Sequence, residues 1–268
     1  MSKIVLITGA SSGFGKIIAE KLSDEGYTVY GTSRNPNKYP SPKKYKLLKY
    51  DITSFKESSN LVERILKEKK KIDILINNAG IGFSGPVEEI SIKDVKNVFD
   101  TNFFGQIDLI QNVLPIMRKN NYGLILNITS IAGFHGIPFV STYCASKASM
   151  EFLGEALNME VKRFGIRVIN IAPGDYNTEI KINRKDTLIK NNSAYYKVYK
   201  GFLDQWSLSM NNSRNPVELA NLVSNIIKKK NPRIHYMLGP FLQKISTTLK
   251  KILPEKIYER ILMNHYKL

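Results

Sequence analysis

Tyr143 and Lys147 stand four residues apart in Tyr143-Cys144-Ala145-Ser146-Lys147, and on a helix that spacing puts both on one face. A phenol with an ordinary pKa of about 10 is a poor base at neutral pH. A neighbouring ammonium favours the phenolate, so the pair can trade a proton with a substrate oxygen. Ser130 lies thirteen residues before Tyr143, at the end of an apolar run, where a chain reversal would bring its hydroxyl to the same point. A lone Tyr-x-x-x-Lys arises often by chance; a strand-terminal serine and a nucleotide-binding pattern upstream make this one specific.

That upstream pattern is Thr8-Gly9-Ala10-Ser11-Ser12-Gly13-Phe14-Gly15, directly after the apolar run of residues 4–7. Glycines let the backbone turn sharply and approach a pyrophosphate, and the helix that opens there offers free N–H groups and a positive dipole end. A second β-branched run leads into Ser33-Arg34-Asn35-Pro36, and no acid occurs between Gly26 and Lys49. An acid at this strand end would bond a ribose 2′-hydroxyl, whereas arginine suits a 2′-phosphate. The pattern therefore predicts NADP(H) in preference to NAD(H).

These groups need a scaffold. Compact apolar runs at residues 4–7, 28–30, 74–76, 124–128 and 166–171 read as buried parallel strands, with weaker ones at 47–50 and 234–237. Between them fall helical patterns at residues 16–25, 61–70, 92–119, 141–164 and 216–229, the first closed by Gly26 and the third crossing Pro115. Repeated β-α-β order predicts an α/β fold, a doubly wound Rossmann-type parallel sheet of about seven strands with helices on both faces. Its ligands should lie at the carboxyl ends of the strands. Residues 1–238 read as one catalytic domain containing an irregular stretch, 175–213, of the kind that serves as a substrate lid. Residues 239–268 read as an amphipathic helical extension of it, with Phe241, Leu242, Ile245, Leu249 and Ile252 at helical spacing among lysines.

Taken together, the motifs resemble the short-chain dehydrogenase/reductase family from residue 3 to about 233. They stand in family order: Thr8-Gly9-x-x-x-Gly13-x-Gly15, Asp51, Asn77-Asn78-Ala79-Gly80, Asn102-x-x-Gly105, Ser130, Tyr143-x-x-x-Lys147 and Pro173-Gly174-x-x-x-Thr178. Phe14, where isoleucine is commoner, and Thr129, where serine is commoner, remove no reacting group. The resemblance implies Tyr143 as general acid/base and Ser130 as donor to the substrate oxygen. It implies that Lys147 binds the nicotinamide ribose, and that Asn102 holds a water relaying protons from Lys147. It also implies a cofactor site formed by Gly9, Ser11, Ser12, Gly13, Phe14, Gly15, Ser33, Arg34, Asp51, Ile52, Asn78, Ala79, Gly80, Tyr143, Lys147, Pro173, Gly174 and Thr178. The reaction implied interconverts a secondary alcohol and a ketone or aldehyde by hydride transfer. The extended tail and Arg34 look like the steroid- and retinol-active branches, so a lipophilic substrate such as a hydroxysteroid or retinoid is expected. A keto-ester or acyl carbonyl reductase, or a non-catalytic NADP-binding regulator, are the alternatives.

Composition bounds the remaining choices. The 268 residues carry 40 Lys and Arg against 23 Asp and Glu, a net charge of +17. The lysines are scattered and match no recognised DNA- or RNA-reading motif, so no nucleic-acid partner is expected. Contact of the basic amphipathic tail with an anionic membrane is one reading of the charge. Cys144 is the sole cysteine, which excludes an intrachain disulfide. His135, His235 and His265 show no metal-ligand spacing, although His135 falls near the expected substrate mouth. No leader pattern and no apolar run of membrane-spanning length occur, so a cytoplasmic location is expected. Family members pair through their long helices, which implies a homodimer or homotetramer.

Overall fold

The computed structural model describes residues 2–176, 184–211 and 214–268, with the side chains of 208–211 left aside. Seven parallel strands form one sheet: β1 (Ile4–Ile7), β2 (Thr28–Ser33), β3 (Lys46–Lys49), β4 (Ile74–Asn77), β6 (Gly123–Ile128), β7 (Ile166–Pro173) and β9 (His235–Leu238). Their order across the sheet is β3-β2-β1-β4-β6-β7-β9, so the winding reverses between β1 and β4. Such a switch point opens a crevice at the strand ends. Two short strands, β5 (Phe83–Ser84) and β8 (Lys185–Asp186), pair separately beside it.

Alternation along each strand feeds two apolar layers. Val5 and Ile7 face α1 (Gly13–Asp24) and α7 (Val217–Lys228), packing with Ile18, Leu22, Leu219 and Val223. Ile4 and Leu6 face the other side, where α2 (Glu57–Lys69), α4 (Gly105–Lys119) and α5 (Ser141–Val161) bring Ile65, Val113 and Leu157. Strands buried on both faces must be apolar throughout, which is why they stand out in the sequence.

Three elements depart from the sequence-based expectation. The helix expected over residues 92–119 is interrupted: α3 (Ile92–Phe99) passes through a π turn, Asp100–Phe104, before α4 begins. Gly105 allows this because a Cβ there would come within 2.1 Å of the Ile52 carbonyl oxygen. Second, the stretch expected to be irregular contains the 16-residue helix α6 (Tyr196–Asn211). Its Tyr199 and Phe202 are fully buried against Val140 and Cys144. Third, α1 and α2 begin three and four residues before the expected start, because α1 opens inside the glycine turn and the first turn of α2 is polar. The tail forms a helical hairpin, α8 (Phe241–Ile252) and α9 (Glu255–Tyr266), with Pro254 between them.

Candidate active site

At the carboxyl end of β1 the chain turns through Gly9, whose φ of +67° lies in the left-handed region that glycine tolerates. A Cβ on Gly15 would sit 2.2 Å from the Gly9 carbonyl and 2.5 Å from the Asn78 amide nitrogen. The turn therefore closes only with glycine. Asn78 braces it, donating to the carbonyls of Thr8 at 2.9 Å and Gly9 at 3.1 Å, while Thr8 accepts from the Asn78 and Ala79 backbone N–H groups. Ser12 makes no side-chain cap to α1, and no acid occupies the first turn. Unsatisfied N–H donors and an unopposed dipole at such a glycine turn fit a bound pyrophosphate.

A cleft of about 490 Å3 runs from this turn to the ends of β6 and β7. Gly9, Ser11, Ser12, Gly13, Phe14, Ser33, Arg34, Asp51, Ile52, Asn78, Ala79, Gly80, Ser130, Tyr143, Lys147, Pro173 and Gly174 all line it. Gly15 and Asn102 stand behind the wall, and Thr178 lies outside the described residues. Lys38 and Tyr39, which sequence reasoning passed over, also line the part beside Arg34.

Ser130, Tyr143 and Lys147 meet at the other end. Ser130 leaves β6 and accepts a hydrogen bond from the Ala132 N–H at 3.1 Å, fixing the chain reversal toward α5. One turn of α5 separates Tyr143 from Lys147, whose Nζ donates to the Ile128 carbonyl at 2.9 Å and lies 5.9 Å from the Tyr143 ring centre. Burial holds the lysine down at about 8. Burial also pushes the Tyr143 phenol up to about 12, against the lowering influence of Ser130 and with Asp175 acting in the same direction as burial. Burial therefore outweighs the lowering that the sequence argument expected from the ammonium. Desolvation disfavours both charged forms, and the lysine's hydrogen bond goes to backbone.

Asn102 is held within the π turn. It donates to the Ile81 carbonyl and the Ser146 hydroxyl, both at 3.0 Å, and accepts from the Ile81 N–H at 2.8 Å. Its side chain thereby fastens the Gly80 corner to α5, and its amide is spent on protein partners. Asn77 is likewise buried, donating to Asn127 at 2.9 Å.

Residues 3–188 match the family model described as short chain dehydrogenase. The chain belongs to that family. Accordingly it is an oxidoreductase. A 3-ketodihydrosphingosine reductase of Bacteroides thetaiotaomicron is 39% identical over 265 residues, covering 98% of each chain. An NADPH-dependent 3-dehydrocapnine reductase of Ornithobacterium rhinotracheale is 27% identical over 99% of this chain and 98% of its own. The crystal structure of a short-chain dehydrogenase from Streptomyces avermitilis superposes with a TM-score of 0.77 at 26% identity, covering 97% and 98% of the two chains.

The substrate end of this dehydrogenase holds residues that sequence reasoning missed. Asp175, Arg184, Gln243 and Tyr266 line it together with His135 and Trp206. Gln243 of α8 clasps Asp175, accepting from its backbone N–H at 2.9 Å and donating to its carboxylate at 2.6 Å. Arg184 stacks 4.3 Å from the Trp206 ring and pairs with Asp186 at 2.7 Å. His135 is buried, and burial holds it down at about 4, so it is neutral at pH 7. Its Nδ1 has no hydrogen-bond partner among the described residues. Asp175 was legible as an acid inside the Pro-Gly-x-x-x-Thr motif of a strongly basic chain. Gln243 and Tyr266 left no such signal, since only docking of the tail brings them here.

Proposed function

We propose that this chain is an NADPH-dependent reductase of lipophilic ketones, with a long-chain 2-amino-3-ketone of the 3-ketodihydrosphingosine type as its substrate. Asp175 carries the substrate assignment. It is the carboxylate beside Tyr143 in the cleft, the other lining acid, Asp51, being bonded to Thr53 just past β3. Its charge is felt by the phenols of both Tyr143 and Tyr266. A 2-amino-3-ketone presents an ammonium one carbon from the carbonyl that Tyr143 must reach, and a carboxylate beside that phenol complements it. A steroid or retinoid, the lipophilic substrates suggested by sequence, offers no cation there. Apolar and aromatic walls from Ile137, Val140, Trp206 and Tyr266 suit an alkyl chain. Arg34 and Lys38 flank the β2 exit with no acid between them, as a 2′-phosphate requires.

When bound, the reduced nicotinamide supplies a hydride to the carbonyl carbon. Tyr143 passes its phenolic proton to the carbonyl oxygen as negative charge develops, and Ser130 holds that oxygen by a hydrogen bond. Lys147, charged below about pH 8, steadies the resulting phenolate until solvent restores its proton.

The deciding experiment is a turnover panel with NADPH and NADH against 3-ketodihydrosphingosine, its analogue lacking the amine, retinal, a steroid ketone and a β-keto ester. The expected result is NADPH preference, with kcat/KM for the amino ketone about 10-fold above the rest. Asp175→Asn should raise KM about 10-fold for the amino ketone and leave the deaminated analogue unchanged, a charge effect of about 1.4 kcal/mol. Equal turnover of retinal or steroid, or an Asp175→Asn effect blind to the amine, would reject the substrate class.

A further inference from the structure

We propose that the α8–α9 hairpin is a membrane-docking face that seats the chain on an anionic lipid surface with the substrate end of the cleft beside the lipid. The inference goes beyond the reaction and does not depend on which ketone is reduced. Six of the seventeen exposed large apolar side chains among the described residues fall within residues 241–268. Phe241 and Leu242 are 71% and 76% exposed at the start of α8, and Ile252 is 71% exposed at its end. On α9, Ile257 and Ile261 are four residues apart on one face and are about half exposed.

The hairpin is nevertheless docked. Its inner side holds Asp175 through Gln243, Lys250 donates to the Phe134 carbonyl at 3.1 Å, and the Tyr266 ring packs at a tilt 5.1 Å from that of Phe202. The exposed apolar residues are therefore what remains after the hairpin has buried its own side. Exposed apolar residues gathered this densely in one hairpin mark a binding region.

Charge identifies the occupant. Residues 241–268 carry six bases, Lys244, Lys250, Lys251, Lys256, Arg260 and Lys267, against Glu255 and Glu259. Two copies meeting face to face would bring two cationic surfaces together, because a two-fold interface opposes each patch to itself. An anionic bilayer complements both properties, taking apolar side chains below the headgroups and leaving lysines among the phosphates. No helix among the described residues is long and apolar enough to cross a membrane, and α8 and α9 have 12 residues each, so the hairpin would lie on the surface. Gln243, Ser246 and Tyr266 of the same hairpin line the cleft, which places its mouth next to the lipid. A lipophilic substrate could then enter without crossing water.

The test is co-sedimentation of the full chain with vesicles of phosphatidylethanolamine and phosphatidylglycerol, against vesicles of phosphatidylcholine alone. Binding is expected to the anionic vesicles only, and to fall several-fold when salt is raised through the range that screens surface charge. Phe241→Ser combined with Leu242→Ser, and separately Lys251→Glu combined with Lys256→Glu, should each weaken binding at least 10-fold. Melting temperature and NADPH oxidation with a short soluble ketone should stay at wild-type values. Absence of binding, equal binding to both vesicle types, or variants that sediment as wild type would overturn the proposal. So would conversion of a dimer to a monomer by Phe241→Ser/Leu242→Ser, which would make the face a contact between copies.

Discussion

A phenol held at about 12 by burial keeps its proton across the physiological range, so in the proposed reduction Tyr143 starts with its proton in place. Tyr143→Phe removes that proton while sparing the glycine turn. It should abolish nearly all turnover, at least about 1,000-fold, yet leave NADPH affinity within about 3-fold by fluorescence titration, in line with the scale of general acid catalysis. In the proposed reaction Lys147 sets the pH dependence. A lysine lowered to about 8 is charged below that pH and neutral above it, so its support of the nascent phenolate fades as pH rises. The pH profile of kcat/KM for reduction should be level between pH 6 and about 8, then fall. The phenol itself should add a further loss only near 12. A profile that rises from pH 7 to 9 in the reductive direction would show that the lysine does not act in this way.

Neighbouring strands carry a polar ladder through the centre of the sheet. Asn77 of β4, Asn127 of β6, Asn170 of β7 and His235 of β9 are successive register partners. Asn77 donates to Asn127 and Asn127 to Asn170, each at 2.9 Å. Asn170 donates to the Glu151 carbonyl at 2.8 Å and carboxylate at 2.9 Å, and Thr129 and His235 bond the same carboxylate. Glu151 follows Lys147 by one turn of α5, so the ladder fixes the rotation of the helix that presents Tyr143. Asn127→Leu would leave the Asn77 amide and the Asn170 oxygen buried without partners, at about 1–3 kcal/mol each. Urea unfolding should show a loss of about 2–4 kcal/mol, and the surviving folded enzyme should lose kcat more than KM. This element was not legible beforehand, because a polar residue inside an apolar run reveals nothing of its partner on another strand. The central strands were legible because burial on both faces makes them continuous apolar runs, and the partly exposed β9 was legible to within one residue. Tyr143 and Lys147 were legible because one helix carries both. The π turn at Asn102 has no compositional signature. The helix α6 did have one, Tyr195, Tyr199, Phe202 and Trp206 at helical spacing, hidden among Lys and Asn residues typical of loops.

On the scale of the whole molecule, α5 serves two surfaces at once. One side of it is buried in the sheet, at Met150, Leu157 and Val161, and presents Lys147 to the cleft. The other leaves Phe152 and Met159, seven residues and two turns apart, 71% and 72% exposed. Phe104, the last residue of the π turn before α4, is 48% exposed, its ring 6.4 Å from that of Phe99 and 5.4 Å from that of Phe103. Large apolar side chains aligned at helical spacing on an outer face are costly to leave in water, each contributing about 1.5–3 kcal/mol when buried. Burying them against the same face of a second copy satisfies a two-fold contact, since an apolar patch complements itself where the cationic hairpin cannot. The protein should therefore sediment as a homodimer at micromolar concentration. Phe152→Glu with Met159→Glu should weaken the dimer at least about 100-fold, the factor equivalent to a loss of about 2.7 kcal/mol. Because the mutated face lies opposite the Lys147 side of α5, the monomer should keep its affinity for NADPH. Its turnover should fall only to the extent that α5 loosens. Such a fall would show that pairing of the two copies helps hold Tyr143 and Lys147 in place.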